Sequence, residues 1–170
     1  MNVWDAIQTK RAVRHFTDEP LDQEALLRIL KAGRRSQSSK NTQPWHFVVV
    51  RDSATLEALS KTGTYLGPVA GAAACIGIVT PNVAPEDANW IAFDIGQVAA
   101  YMQLAAQEIG VGSVIGAVFE PEQARALLGL PEDQRVDVVL SFGYPTEHAQ
   151  RPLQGPGRRP LADIVHWERW

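Results

Sequence analysis

Five basic side chains form two short clusters near opposite ends of the sequence. Lys10, Arg11 and Arg14 fall within one segment, and Arg158 and Arg159 follow a Gly-Pro-Gly sequence. A phosphate monoester carries close to two negative charges, and each charge-assisted hydrogen bond contributes roughly 1.5–3 kcal/mol. Two or three of these cations on one phosphate would supply much of a micromolar affinity. The clusters therefore suggest a phosphate site, although a solvated basic surface is the simpler interpretation of either cluster alone.

A second candidate region is residues 40–50, KNTQPWHFVVV, where hydrogen-bonding side chains directly precede an apolar run. Strands are usually entered through a tight turn containing Gly or Asn. Here two amides, Asn41 and Gln43, stand close to Trp45 instead. This composition raises the question of what the amides bind.

A third region, GVGSVIG, contains Gly110, Gly112 and Gly116. It is not a dinucleotide fingerprint, because its spacing differs and because a predicted helix precedes it and a predicted strand follows. The sequence also contains no GxxxxGK[ST] motif for a nucleotide triphosphate. Glycines that flank a strand allow main-chain N–H groups to approach a planar ligand, and close packing of helix on strand is an equally good explanation.

Composition excludes several classes of function. The net charge of −3 over 170 residues gives no reason to expect nucleic acid or an acidic membrane as partner. A single cysteine allows no internal disulfide, and Cys75 is interpreted as a small buried residue. The four histidines show no metal-binding spacing, and no G-x-S-x-G elbow supports a hydrolase. Without an apolar run long enough for a membrane span or a signal-peptide pattern, we expect a cytoplasmic protein.

Hydrophobic periodicity predicts a single α+β domain over residues 1–170, with a central sheet flanked by helices. Helices are predicted over 3–9, 22–34, 55–61, 90–109 and 121–128, and strands over 46–50, 73–79, 113–118 and 136–142. Asp22 is a predicted N-cap. We expect Trp4 and Ile7 on the inner side of the first helix, and the unbroken apolar run of the first strand predicts burial on both faces. Residues 148–160 are predicted to be irregular.

Four motifs, in this order, resemble those of the FMN-dependent nitroreductase family, and the likeness runs nearly end to end. KRAVRHF (10–16) is similar to the family's N-terminal RRSxR-F motif, and SSKNTQPWHFVV (38–49) to its P-S-x-x-N-x-Q-P-W signature. IGVGSVIGAVF (109–119) stands where the family has the glycine-bearing turn and strand beneath the flavin. GRRPLADIVHWERW closes the chain as it does in many members. The implied fold is that of a short nitroreductase, with a mainly antiparallel sheet.

The resemblance implies a role in FMN binding for each matching position. The FMN phosphate would be held by Lys10, Arg11 and Arg14 of the basic motif and by Arg158 or Arg159 of the C-terminal segment, and Ala12 of the same motif would also lie at the cofactor. Ser38, Ser39 and Asn41 would bind the flavin from the other subunit of a homodimer, and Gln43 would stand near the ring edge or the phosphate. The polar residues before the first strand would therefore form part of a cofactor site, with Pro44 and Trp45 fixing the loop.

The strand residues Ile115, Gly116 and Ala117 would lie against the isoalloxazine ring, with a main-chain N–H facing the nitrogen that accepts hydride. Three departures from the family pattern are present. Ala12 stands where the family commonly has serine, and Gln37 stands where it commonly has proline. Only TPNVAPEDAN separates the second strand from the long helix, where larger members carry an insertion over the flavin. We therefore expect an open, shallow site.

The implied activity is ping-pong transfer of hydride from NAD(P)H through FMN to a nitroaromatic, a quinone or a similar small acceptor. A flavin-binding redox sensor or reduced-flavin carrier without its own turnover is the alternative, and a branch that dehalogenates or dehydrogenates would differ only in its acceptor. We expect an obligate homodimer in which residues 150–170, including Trp167 and Trp170, pack on the partner subunit. Neither chain alone would then make a complete flavin site.

Overall fold

The computed structural model describes residues 1–147 and 157–170. Within these ranges the helices are α1 (Val3–Thr9), α2 (Gln23–Arg34), α3 (Ser53–Leu59), α4 (Pro85–Glu108) and α5 (Pro121–Leu128). The strands are β1 (His46–Val50), β2 (Ala74–Pro81), β3 (Gly112–Ala117) and β4 (Gln134–Gly143). Short 3₁₀ turns cover Ser39–Asn41, Gly67–Val69 and Leu161–Asp163. The α+β prediction is confirmed, and residues 148–156 of the predicted irregular segment lie outside the described residues.

The four strands form one antiparallel sheet in the order β1-β2-β4-β3, which confirms the predicted sheet type. The strands β2 and β4 are central, and most of their side chains are buried. The strands β1 and β3 are the two edges of this sheet. The position of β3 at an edge matters for function, because one side of its main chain is left available for another partner.

One face of the sheet is covered by α2 and α4. Asp22 caps α2 as predicted, accepting a hydrogen bond from the Ala25 N–H at 2.6 Å. Gly33 allows the two helices to approach closely, since a Cβ there would lie 2.5 Å from Met102 Cε. The buried side of α4 carries Ile95, Val98, Ala99, Met102 and Ala106. No helix within residues 1–147 and 157–170 is long and apolar enough to cross a bilayer.

The opposite face of the sheet is covered by α3 and α5, whose buried residues include Leu56, Leu59 and Ala124. Cys75 of β2 packs in this cluster, and burial raises the pKa of its thiol to about 12. The prediction that Cys75 is a small buried residue is confirmed. Because its thiol is rarely ionised, Cys75 is also a poor nucleophile.

Three details of the sequence-based assignment are wrong. The strand β1 is an edge strand whose His46 and Val49 are exposed, so it is not buried on both faces. Trp4 and Ile7 are 63% and 49% exposed, so within one chain they do not face the core. The helix α4 begins at Pro85, five residues before the predicted start at Trp90. Because β2 ends at Pro81, only residues 82–84 join the two elements.

Candidate functional site

The structure brings together one residue from each of the two basic clusters. Lys10 follows the last turn of α1, where its main-chain N–H donates to the Ala6 carbonyl at 2.9 Å. Partial burial lowers the pKa of the Lys10 ammonium, and the positive charge of Arg158 lowers it further. In the part of the chain that the structure describes, neither side chain has an acidic ion-pair partner. Two neighbouring cations that lack a carboxylate between them are suited to bind an anion.

The residues after Lys10 run alongside the edge strand β3. The Val13 N–H donates to the Ser113 carbonyl at 3.0 Å, and Ala12 and Ser113 form a parallel bridge. Gly112 permits this contact, because a Cβ there would lie 2.9 Å from the Val13 side chain. Val13 is buried while Ala12 and Arg14 are exposed, so the basic segment is fixed by its main chain and presents its polar positions outward.

The outer edge of β3 exposes main-chain groups beyond the point where residues 12–13 cover it. Successive residues of a strand direct their N–H and C=O groups to opposite edges. Because the Ser113 carbonyl faces outward to Val13, the main-chain groups of Ile115 and Ala117 face outward as well. The Gly116 N–H faces β4, as does that of Val118, which donates to the Asp137 carbonyl. Among the described residues the Ile115 N–H has no acceptor, so it is available to a ligand.

A cavity of about 610 Å³ lies beside the basic segment and was not predicted from the sequence. It is lined by Arg14, His15, Phe16, Gly67, Pro68, Gly71 and Thr146. A Cβ at Gly67 or Gly71 would meet open space, so the main chain is directly accessible from this side. The sequence of this segment is TYLGPVAG, residues 64–71, in which Gly and Pro interrupt the hydrophobic pattern. Arg14 is thus placed at the rim of a space large enough for a ligand.

The loop of residues 38–43 has an unusual and well-defined conformation. Lys40, Asn41 and Gln43 have φ values of 52°, 56° and 48°. This left-handed region costs a residue with a side chain roughly 1–2 kcal/mol, so the loop must be held by other contacts. One of these is internal, from the Gln43 N–H to Ser38 Oγ at 2.9 Å. Trp45 anchors the end of the loop in the core at 7% exposure, as the sequence indicated.

The helix α4 supplies the other contacts that hold this loop. The Ser39 N–H donates to Asp94 Oδ2 at 3.1 Å, and Gln37 Nε2 donates to Gln97 Oε1 at 2.8 Å. Asp94 is only 4% exposed. This carboxylate therefore binds the main chain of the loop from a buried position. Gln37, which departs from the family pattern, forms a contact to α4 that proline could not form.

The loop and the outward edge of β3 lie on different faces of α4 in one chain. Gly96 lines a cavity together with Ile115, whereas Asp94 holds Ser39. Asp94 and Gly96 are two positions apart, so they lie roughly 160° apart around the helix axis. Among the described residues no hydrogen bond or ion pair joins residues 38–43 to Lys10, Ala12 or Arg14. Gln43 lines a separate cavity beside Trp45 and β1. The structure therefore does not bring all predicted site residues together within one chain.

Substitution of Asp94 tests whether this carboxylate positions the loop. We expect Asp94→Ala to lower the free energy of unfolding by roughly 1.5–3 kcal/mol, because a hydrogen bond to a charged acceptor contributes about that much. Asp94→Asn, which keeps a side-chain oxygen as acceptor, should lose much less. The measurement is urea unfolding of the purified variants. Equal free energies of unfolding for both variants and the unmodified protein would show that Asp94 does not hold the loop.

Known proteins share the sequence pattern and the fold of this chain. The sequence matches the nitroreductase family over residues 7–63 and 63–144. A protein of Archaeoglobus fulgidus with the provisional name NADH dehydrogenase/NAD(P)H nitroreductase is 32% identical over 169 residues, which cover 96% of each chain. An NADPH-flavin oxidoreductase of Vibrio harveyi is 30% identical over 179 residues, covering 97% of this chain and 73% of that protein.

Solved structures agree with the sequence comparisons. An FMN-dependent nitroreductase from Clostridium difficile superposes with a TM-score of 0.82 at 26% identity, covering 97% of this chain and 98% of that one. The fold and these relatives define an oxidoreductase of the flavin-linked type. The chain belongs to the nitroreductase family.

Proposed function

We propose that the protein is an FMN-dependent oxidoreductase that passes reducing equivalents from NAD(P)H to a small acceptor, such as a nitroaromatic or a quinone, by a ping-pong reaction. The observation that carries the proposal is the convergence of Lys10 and Arg158 without an acidic partner. A phosphate monoester between them would restore the charge balance. The flavin-linked relatives support FMN as the phosphate-bearing group.

The residues of this chain fit FMN at two separate places. Lys10 and Arg158, with Arg11 and Arg14 from the same basic segment, would hold the phosphate. The Ile115 N–H would donate to the edge of the ring system, and Gly116 makes room for Leu66, whose Cδ2 would overlap a Cβ at that position. When bound, FMN would supply the two-electron redox chemistry, and the protein would supply position and electrostatics. The resemblance placed a main-chain N–H among residues 115–117, and the strand geometry favours Ile115 as its source.

We propose further that the flavin site is completed by a second copy of the chain. The loop with Ser38, Ser39 and Asn41 is held on the far face of α4 from Ile115, so it is positioned to serve another subunit. Large apolar side chains are exposed along α1, α4 and the C-terminal segment: Val3, Trp4, Ile7, Trp90, Phe93, Leu161 and Trp167. Obligate dimers bury roughly 2,000 Å² or more and favour such anchors.

Access for both substrates follows from the short connection between β2 and α4. Only residues 82–84 lie between these elements, so no inserted helix is available at this place to cover the site. The nicotinamide and the acceptor would then use the same open face in turn, which is the physical basis for the ping-pong order. No catalytic acid or base of the chain is required, because the reacting atoms would belong to the cofactor and the two substrates.

The proposal is tested by mixing the FMN-loaded protein with NADH or NADPH in the absence of oxygen. We expect rapid bleaching of the flavin absorbance, followed by recovery when a quinone is added. Bleaching without recovery by any acceptor would support a carrier of reduced flavin instead. Failure of both nicotinamides to bleach the bound flavin would contradict an NAD(P)H-dependent enzyme.

A further inference from the structure

The cavity that Gly96 and Ile115 line, here called the α4 cavity, lies between the first half of α4 and the sheet. Its volume is about 410 Å³. Small-molecule sites in proteins occupy roughly 300–1,000 Å³, so the space is large enough for a ligand. The sheet side is formed by residues of β2, β3 and β4, and the helix side by α4. Its walls are largely apolar and include Val83, Ile91, Ala92, Ile95, Ile115 and Val138.

A glycine keeps the helix side of the α4 cavity open. A Cβ built at Gly96 would meet no atom within 4 Å. At Gly33, by contrast, Met102 occupies the space that a side chain would take. Glycine is a poor helix former compared with alanine, so the helix itself does not explain Gly96. The space in front of Gly96 is therefore left free by the packing of this chain.

One buried hydroxyl group lies at this cavity without a partner. Thr80 is 1% exposed and pairs across the sheet with Arg135, so both side chains lie on one face of the sheet. The neighbouring Val136 packs in the cluster of α3 and α5, so Thr80 lies on the face that α4 covers. In the ranges that the structure describes, Thr80 Oγ1 forms no hydrogen bond. A ligand that supplies one would offset the loss of water at this hydroxyl.

The charged residues at the α4 cavity are paired with each other. Arg135 Nε donates to Asp137 Oδ1 at 2.9 Å, and both residues line the cavity. Because their charges cancel, neither charge is left for an ionic ligand. Asn89 adds only a neutral amide. Moving an uncompensated charge from water to apolar walls is unfavourable, so the lining favours a neutral ligand.

The exposed aromatic side of α4 faces away from this cavity. Trp90 and Ala92 are two positions apart, so they lie roughly 160° apart around the helix axis. Ala92 lines the cavity, whereas Trp90 is 64% exposed. A dimer interface built on Trp90 therefore does not need to fill the α4 cavity.

We infer that the α4 cavity binds a neutral, mainly apolar small molecule that carries one hydroxyl or carbonyl group. The apolar part would pack between Ile95 and Val138, and the polar group would pair with the Thr80 hydroxyl. Such a site goes beyond the proposed function, because it requires neither FMN nor a nicotinamide. The Ile115 N–H faces the outer edge of β3 while its residue lines the cavity, so the ligand would lie behind the proposed ring contact rather than on the open face.

Calorimetric titration with 2-naphthol near neutral pH tests the inference, on both FMN-free and FMN-loaded protein. The matched control ligand is 2-naphthoate, which has the same ring system and carries a negative charge. Gly96→Leu places a side chain in the cavity, and Gly96→Ala is its control because it adds only a Cβ. Thr80→Val removes the hydroxyl group with little change of shape. Urea unfolding verifies that the variants fold, which we expect because leucine and alanine are better helix formers than glycine.

We expect 2-naphthol to bind the unmodified protein with a Kd below about 1 mM, and 2-naphthoate to bind about tenfold more weakly. Gly96→Leu should weaken 2-naphthol binding by about tenfold or more, and Gly96→Ala by less than about threefold. Thr80→Val should weaken it about fivefold, the loss expected for one neutral hydrogen bond.

Three results would each overturn the inference: no binding of 2-naphthol to the unmodified protein, equal affinity in Gly96→Leu, or tighter binding of 2-naphthoate than of 2-naphthol. Binding that depends on Gly96 in a protein that takes up no FMN would support the α4 cavity as a ligand site while contradicting the proposed function.

Discussion

Replacing Lys10 with methionine is expected to weaken FMN binding by about 10- to 100-fold, the loss expected for one charge-assisted bond of roughly 1.5–3 kcal/mol. The same change should leave the FMN-free protein at least as stable as before. The reason is that burial and the charge of Arg158 make the protonated Lys10 less favourable in the folded chain than in the unfolded chain. Flavin titration gives the affinity, and urea unfolding of the FMN-free protein gives the free energy of unfolding.

The lowered pKa of Lys10 determines how stability and FMN affinity change with pH. The pKa of Lys10 is lowered in the folded state, so between that lowered value and the ordinary 10.5 the unfolded chain binds more protons. Stability of the FMN-free protein should therefore contain a contribution that rises with pH in this alkaline window, and Lys10→Met should lack it. Because an anion favours protonated Lys10, FMN affinity should fall as pH rises through the same window. A variant that binds FMN normally and is less stable would mean that Lys10 is a structural residue.

The adjacent arginines offer a matched control for this site. The charge of Arg158 acts on Lys10, so Arg158→Met should weaken FMN binding to a similar extent as Lys10→Met. Arg159→Met removes the same charge one position along the chain and should have a smaller effect. A larger loss of FMN affinity in Arg159→Met than in Arg158→Met would contradict the assignment of Arg158 to the phosphate.

Replacing Trp167 with alanine is expected to weaken dimerisation and flavin retention together. Trp167 is 84% exposed within one chain, so its removal should not lower the stability of an isolated subunit. Buried at an interface as a central anchor, a tryptophan contributes about 2–4 kcal/mol, which corresponds to an increase of about 30- to 1,000-fold in the dimer dissociation constant. Sedimentation over a range of concentrations measures the dimer, and flavin absorbance at the same concentrations measures retention.

Leu127 provides the control for this experiment. It is 37% exposed and lies on α5, on the face of the sheet opposite to α4. Leu127→Ala should change neither the dimer nor the flavin. Unaltered dimerisation and unaltered flavin content in Trp167→Ala would show that the C-terminal segment does not contribute to the interface. Dissociation with full retention of flavin by the monomer would show that each chain makes a complete site alone.

The elements could be predicted because their hydrophobic periodicity and their termini agree. Asp22 capping α2, Pro121 opening α5 and Gly129 closing it are local signals that tertiary packing did not override. The early start of α4 at Pro85, followed by Glu86 and Asp87, also has a local signal, but the sequence-based assignment placed these residues in the connection before the helix. An apolar run cannot distinguish an edge strand from a central one, which is why the burial of β1 was wrong.

The candidate site was less accessible to prediction, because its parts are joined by tertiary contacts. The sequence contains both basic clusters, and only the fold places Arg158 near Lys10. No local rule predicts three left-handed residues in the loop 38–43, since that conformation is imposed by Ser38 and by Asp94 of α4. Tyr65 and Phe119 lie in separate loops, and two hydrogen bonds to the Thr62 carbonyl hold these loops together. The spacing of these residues in the sequence does not predict such contacts.

The most direct test of FMN dependence is the absorption spectrum of the purified protein, with any released cofactor identified by chromatography. We predict the two-band spectrum of an oxidised flavin, with one FMN for each chain, released on denaturation. A colourless protein that also fails to take up added FMN would contradict the phosphate site at Lys10 and Arg158 and the ring contact at Ile115. The nitroreductase fold would remain in that case, and the assignment as an FMN enzyme would not.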